Sequence, residues 1–171
     1  MHFGARFANL TQLSYITRDL DAAMAHAREK LGIEKFHTGD SEIDVLSYGK
    51  RAKLHVRSAI AVCGRHQFEY IEPVSGAIGI YTDEVDLDAA LITFHHIAIA
   101  VPGPYAEWVT LLADVRESGD EFAYLFPAEP DPAFPIAFCY VDTRHRLGHF
   151  TEYLWWAEKL SGTAGFPNLK A

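Results

Sequence analysis

The chain repeats itself, and that repeat limits its possible topologies more than any other feature. Leu10-Thr11-Gln12-Leu13-Ser14-Tyr15-Ile16 leads into Asp19-Leu20-Asp21-Ala22-Ala23-Met24. Eighty-four residues later, Phe94-His95-His96-Ile97-Ala98-Ile99-Ala100-Val101 leads into Pro104-Tyr105-Ala106-Glu107-Trp108. The segments that close the two stretches also correspond: Phe68-Glu69-Tyr70-Ile71 and Thr151-Glu152-Tyr153-Leu154. Gln12 and Glu69 are 57 residues apart, and His96 and Glu152 are 56 apart. An amide, an imidazole and two carboxylates, residue types that ligate metals, thus stand at matching places in two copies of one unit.

Each copy reads as a strand, a helix and further strands. Leu10 to Thr17 is rich in strand formers, Asp19 is a helix N-cap, and Leu20, Ala23, Met24, Ala27 and Leu31 recur at helical spacing. Strands are expected over Glu34 to Thr38, Ile43 to Tyr48, Lys53 to Cys63 and Gln67 to Glu72, with a turn at Gly39-Asp40-Ser41 and an end at Pro73. The second copy has a strand over Thr93 to Val101, a helix from Tyr105 to Val115, and strands over Glu121 to Phe126, Ile136 to Asp142 and His149 to Trp156. The proline-rich segment Ala128 to Pro135 cannot sit inside a sheet and should cover something. The expected organisation is a first module over 8–76, a linker over 77–92 with a short helix, a second module over 93–156, and a tail over 157–171. The fold class is α+β: two βαβββ modules form one curved mixed sheet around a metal-binding cavity, with the helices outside.

Composition removes several classes of function. A net charge of −8 and no Lys/Arg cluster disfavour nucleic acid as a partner. No apolar run approaches the roughly 20 residues of a membrane span, and Met1 to Arg6 lacks the marks of a signal peptide, so no membrane association and a cytoplasmic location are expected. Cys63 and Cys139 are isolated and are expected as small buried hydrophobes.

A mixed N/O ligand set suits one divalent ion of the zinc, nickel, cobalt, manganese or iron(II) kind. Two carboxylates nearly neutralise the dication, and open positions remain for two neighbouring oxygens of a substrate. Around this set the layout resembles the vicinal-oxygen-chelate superfamily, which includes glyoxalase I, methylmalonyl-CoA epimerase, extradiol dioxygenases and bleomycin-resistance binders. The resemblance covers residues 8 to 156. It implies that each module supplies one ligand from its first strand and one from its last: Gln12 and Glu69, then His96 and Glu152. His96 directly precedes Ile97-Ala98, as the family ligand does, and His95 is expected on the helix side of its strand.

The ligand types separate the branches. A ring-cleaving dioxygenase needs two histidines and one carboxylate for iron(II), and Gln12 stands where one of those histidines would be. The Gln/Glu/His/Glu set is similar to that of zinc-type glyoxalase I, with the epimerases close by. Glyoxalase I carries an arginine four residues after its first ligand; here that position is Ile16, which argues against a glutathione substrate. The expected activity is a metal-dependent lyase, isomerase or epimerase that removes a proton beside a chelated carbonyl, with Glu152 as the first choice of base and Glu69 the second. The alternatives are an extradiol-type dioxygenase and a non-catalytic small-molecule binding or resistance protein. Ile16, Tyr140, Arg144, Phe150 and Leu154 are the candidate pocket wall, which implies a hydrophobic or aromatic small molecule, and a homodimer is expected. His55 and Arg57 are candidates to line the cavity, and one of Arg144, His145 and Arg146 to grip a substrate anion.

Overall fold

The structure, a computed structural model, describes residues 6–163 and 165–167; the end of the tail assigned above to 157–171 lies partly outside the described residues. Within 8–76 fall β1 (Leu10–Ile16), α1 (Leu20–His26, prolonged by a wider turn over Ala27–Leu31), β2 (His37–Ser47), β3 (Lys50–Cys63) and β4 (His66–Gly76). A short helix α2 (Gly79–Thr82) lies between the modules. Within 93–156 fall β5 (Thr93–Ala100), α3 (Tyr105–Glu117), β6 (Phe122–Phe126), β7 (Ile136–Val141), a one-turn α4 (Arg144–Leu147) and β8 (Phe150–Trp156). The Asp19 carboxylate accepts the Ala22 amide at 2.9 Å and caps α1, as its place before the apolar periodicity predicts.

The strands close into a barrel in the order β1-β4-β3-β2-β6-β7-β8-β5. The sequence predicts a curved sheet, and the curvature here completes the circle. In each module the first strand lies parallel to the last, β1 to β4 and β5 to β8, which needs a long crossover connection, here a helix and two strands. The modules join at two antiparallel seams, β1 against β5 and β2 against β6.

Three local expectations fail for identifiable reasons. β2 runs straight through Gly39-Asp40-Ser41, because an unbroken antiparallel register with β3, from His37↔Ile60 to Ser47↔Lys50, overrides the local turn preference. β4 passes through Pro73 to Gly76: the proline sits beside a bulge opposite His55/Val56 and beyond the last pair with β1. At its end, Gly76 has φ +82° and a Cβ there would meet the Lys53 carbonyl oxygen at 2.2 Å, so only glycine fits. Cys63 is exposed at the end of β3, where the strand runs past the helix cover; Cys139 is buried.

Each helix covers the outer face of its own module. α3 sets Trp108, Leu111, Leu112 and Val115 against Ile99, Leu125, Cys139 and Tyr153. Each such side chain contributes about 1.5–3 kcal/mol on burial. α1 packs with smaller groups, Ala23, Met24 and Ala27 against Ala59 and Tyr70. Inside the barrel one end is filled by Ile16, Val45, Ile71, Tyr81, Tyr124 and Phe150. Tyr81 comes from α2, so the segment between the modules plugs the barrel as well as joining its halves. No helix among the described residues is long and apolar enough to cross a membrane.

Candidate metal centre

The four singled-out residues lie on β4, β1, β5 and β8, which are consecutive around the barrel. Two neighbouring rungs hold them. One runs Gln67, Gln12, Ala98, Glu152, Tyr140; the next runs Ile60, Glu69, Ser14, His96, Phe150. The two modules use the same offset: Gln12 pairs with Gln67, two residues before Glu69, and His96 pairs with Phe150, two residues before Glu152. Gln12, Glu69, His96 and Glu152 are all buried; Gln12, Glu69 and Glu152 line one cavity, and His96 lies against both carboxyls.

His96 is at the centre. Its Nε2 lies 3.2 Å from Glu152 Oε2, 3.7 Å from Glu69 Oε2 and 3.4 Å from the Tyr140 hydroxyl. Ser14 donates to Glu69 Oε2 at 2.6 Å. The carbonyl oxygen of the Gln12 side chain is buried and has no partner. An unmatched buried acceptor is costly, and either a cation or a hydrogen-bond donor would satisfy it. Ala98, between Gln12 and Glu152 on their rung, contributes only a methyl group and leaves room between them.

Burial drives these groups toward their uncharged forms. It lowers the His96 pKa to about 3, with His149 adding to the effect. It raises both carboxyls well above the usual carboxylate range; for Glu69 the Glu152 charge raises it further and the Ser14 hydrogen bond opposes this. The close His96–glutamate contacts are therefore not ion pairs. A cation among them would reverse that balance, since it favours both carboxylates and a neutral imidazole.

The donor set fits a divalent ion. Ligand atoms held about 2.1 Å from one ion are about 3.0–3.4 Å apart, close to the 3.2 and 3.7 Å found here. The chemistry is the mixed N/O type that zinc, cobalt, nickel, manganese and iron(II) accept. Among the described residues, however, no three His, Cys, Asp or Glu side chains form a ready-made ligand cluster.

The site opens into a cavity of about 360 Å³, at the small end of the range for ligand pockets. Gln12, Glu69, Tyr140 and Glu152 line it together with Leu54, Val56, Ile60, Phe138 and Leu154, and Phe166 from the tail closes part of it. Ser41 and Ile43 of β2 face Phe126 and Ile136 across it. The proline-rich segment flanks this rim: a neighbouring surface hollow is shared by Ile43, Phe126 and residues 127–131.

Of the candidate wall residues, Tyr140 and Leu154 line the cavity, and Ile16, Phe150 and Arg144 do not. Ile16 and Phe150 belong to the packed plug, because Tyr81 fills the space they were expected to face. Arg144 lies outside that plug, stacked 4.5 Å over the Phe150 ring and bonded to Asp142 and Glu84. Arg146 pairs with Asp120 and His145 is exposed, so none of these cations reaches the cavity. His55 and Arg57 also point away, to Asp40 and Glu72, while Leu54, Val56 and Ser58 point in. The sequence places Ser14 on the face of Gln12 and Tyr81 in the linker helix but gives neither a role in the site. Ser14 shares the inward face of Gln12, which is a usable signal; Tyr81 carries none, because only the path of the linker brings it in.

His95 is the clearest correction. β5 has one residue more than β1 between the pairs Ser14↔His96 and Tyr15↔Phe94, and that residue is His95. A bulge breaks the alternation of side chains, so His95 is buried beside His96, and its ring packs against Tyr81 and Phe150. Burial first, and His96 second, push its pKa down to about 3.

Two βαβββ modules closed into one barrel constitute the glyoxalase-like fold. Solved methylmalonyl-CoA epimerases share it. One, in complex with methylmalonyl-CoA and NH4+, aligns at a TM-score of 0.60 and 21% identity, covering 88% of this chain and 95% of that one. The Mycobacterium tuberculosis epimerase aligns at 0.60 and 16%, covering 89% and 90%. A Streptomyces coelicolor epimerase variant, in complex with 2-nitronate-propionyl-CoA, aligns at 0.59 and 21%, covering 88% and 95%. At such identities the likeness establishes the fold. No protein-family model and no curated protein matches the chain.

Proposed function

We propose that this chain is a divalent-metal-dependent enzyme of the isomerase, epimerase or lyase type that moves a proton on the carbon beside a carbonyl group. The observation that carries the reading is the pair of buried carboxyls flanking His96 Nε2 at 3.2 and 3.7 Å, with the orphaned Gln12 oxygen on the adjoining rung. Gln12, Glu69, His96 and Glu152 would hold the ion. When bound, it supplies Lewis acidity that makes the substrate C–H more acidic.

The rest is the work of the chain. Glu152 takes the proton from carbon: it lines the cavity, is shielded from water, and with a cation beside it is held as the carboxylate that a general base must be. Ser14 steadies Glu69 by donating to it, so Glu69 is the second carboxyl, placed to return a proton. If the proton leaves to one carboxyl and returns from the other, the carbon inverts; if Glu152 delivers it to a neighbouring atom, the substrate isomerises. The aromatic and aliphatic wall excludes water from the carbanion.

The substrate class follows from the lining. Among the described residues no Lys or Arg lines the cavity, so a second anionic group on the substrate would meet no cation there. The wall favours a small, uncharged, hydrophobic or aromatic compound with two adjacent oxygens. The carboxylated thioester bound by an epimerase of the same fold is a poorer match.

Ring cleavage is disfavoured by His95: both of its ring nitrogens already have partners, so it is not free as a second histidine ligand. The second reading is a non-catalytic binder, favoured by the absence of a ready-made cluster among the described residues. The deciding experiment incubates the metal-loaded protein with aromatic α-hydroxyketones in deuterated water and follows loss of the α-proton signal by NMR. The enzyme reading expects exchange that falls about 10²–10⁴-fold in Glu152→Gln. Tight binding with no exchange above buffer would establish the binder instead.

A further inference from the structure

The second histidine of the pair has no role in that chemistry, yet it is as buried as the ligands. Its two ring nitrogens each have one partner. Nε2 lies 2.9 Å from the Ile80 carbonyl oxygen, and Nδ1 lies 3.0 Å from Nδ1 of His96. The two rings stand nearly perpendicular, at 89°. These contacts determine where the protons are. A carbonyl oxygen only accepts, so His95 Nε2 carries a hydrogen. A neutral imidazole carries one N–H, and a buried cation would lie against the Tyr81 and Phe150 rings with no carboxylate paired to it among the described residues. His95 Nδ1 is therefore an acceptor, and the hydrogen in the 3.0 Å contact belongs to His96 Nδ1. The remaining nitrogen of His96, Nε2, then has a free lone pair and is the one that faces Glu69, Glu152 and Tyr140.

We propose that His95 is a positioning residue: it accepts the Nδ1 proton of His96 and so presents the bare Nε2 of His96 to the cavity. The role rests on the reading of His96 as a ligand, but the proton arrangement does not. The fold makes the contact possible at one place only. In a regular strand His95 would pair with Tyr15 and its ring would lie on the outer face, opposite to that of His96. The anchor of the chain is equally specific. Ile80 belongs to α2, in the segment between the modules, and that segment is itself tied down by Glu84 to Arg144 and by Asp88 to Arg18. The linker thus holds the ligand ring through one hydrogen-bonded histidine, in the way that a carbonyl or carboxylate behind a metal-bound imidazole sets its orientation and basicity.

The test is made first on the metal-free protein, by nitrogen NMR of its histidine rings. His96 is expected in the form with Nδ1 protonated and Nε2 unprotonated, and His95 in the opposite form. A proton on His96 Nε2 overturns the proposal whatever the protein catalyses. Two variants follow, each titrated with Co²⁺ alone. His95→Leu is expected to bind Co²⁺ about 10- to 100-fold more weakly and to lose the single His96 tautomer. His95→Gln, whose amide can accept from His96 and donate to Ile80, is expected to recover most of both. If His95→Leu folds with the same Co²⁺ affinity and the same His96 tautomer as the parent, the proposal is wrong. If no form binds Co²⁺ but the parent shows the expected tautomers, the arrangement stands and the metal-enzyme reading fails alone.

Discussion

The two seams that join the modules differ sharply. β1 and β5 pair from Leu10↔Ile99 to Ile16↔Thr93, and their inward residues include Gln12, Ser14, His96 and Ala98. β2 and β6 share only Leu46↔Leu125 and Ser47↔Tyr124 before they part. The first seam runs the length of β1, with a bulge on each side of the Gln12–Ser14 stretch, and every ligand candidate lies on it or on a strand next to it. At the second, the gap beyond Leu46 leaves Ser41 and Ile43 facing Phe126 and Ile136 across the cavity. One seam fixes geometry and the other gives access. A duplicated unit can assign both tasks because its two copies meet twice.

The largest effect is expected from closing the space at the tight seam. Ala98→Leu puts an isobutyl group between Gln12 and Glu152, where nothing larger than a methyl stands now. Overpacking of this kind costs about 1–3 kcal/mol, and the same atoms would occupy the ion's place. Divalent-ion affinity should fall at least about tenfold, equivalent to about 1.4 kcal/mol, with a lower Tm in calorimetry. Unchanged affinity in a folded Ala98→Leu protein would put the ion elsewhere.

Next is the pH response of that seam. Burial raises Glu69 and Glu152 above their unfolded values, so the folded metal-free chain holds protons that the unfolded chain releases. The carboxyl contribution is fully present below the unfolded carboxyl range and declines as pH rises through the raised pKa values. His95 and His96, with lowered pKa values, act in the opposite sense below the ordinary histidine range, so the net fall in stability is expected above that range. Ion affinity runs the opposite way, because binding expels those protons. Melting curves from pH 5 to 9, with chelator and then with Zn²⁺, should diverge as pH rises; parallel curves would mean that the carboxyls are not ligands.

The smallest effect belongs to the open seam. Ile43→Trp narrows the gap between β2 and Phe126 without touching the ligand rungs. It should raise KM about three- to tenfold, a change of about 0.6–1.4 kcal/mol in apparent binding, and leave metal affinity and kcat alone. A fall in metal affinity would show that the seams are not independent.

Much of this could be read before the structure was known. Repeats of local pattern carry through to space when the same residues do the same job in each copy, and so Gln12 and Glu69 meet His96 and Glu152 at one offset. The unreadable parts depend on contacts between segments far apart in sequence. Pairing with β3 straightened β2 through a turn-like tripeptide. One extra residue in β5 turned His95 inward, and only the register with β1 reveals it. Tyr81 entered the barrel along the path of the linker and displaced Ile16 and Phe150 from the pocket wall. Alternation along β8 puts Phe150 on the face of Glu152, and the turn before it offers Arg144 as an anion grip. Phe150 instead packs into the plug, and the arginine stacks on its ring from outside.

The central claim is that two modules of one chain bring Gln12, Glu69, His96 and Glu152 onto a single divalent ion. Titration of the metal-free protein with Co²⁺, followed by its visible absorption, tests this directly. One ion per chain is expected, with spectral bands that disappear in both His96→Ala and Glu152→Ala while the fold persists by circular dichroism. The absence of stoichiometric binding, or binding that survives both substitutions unchanged, would contradict it.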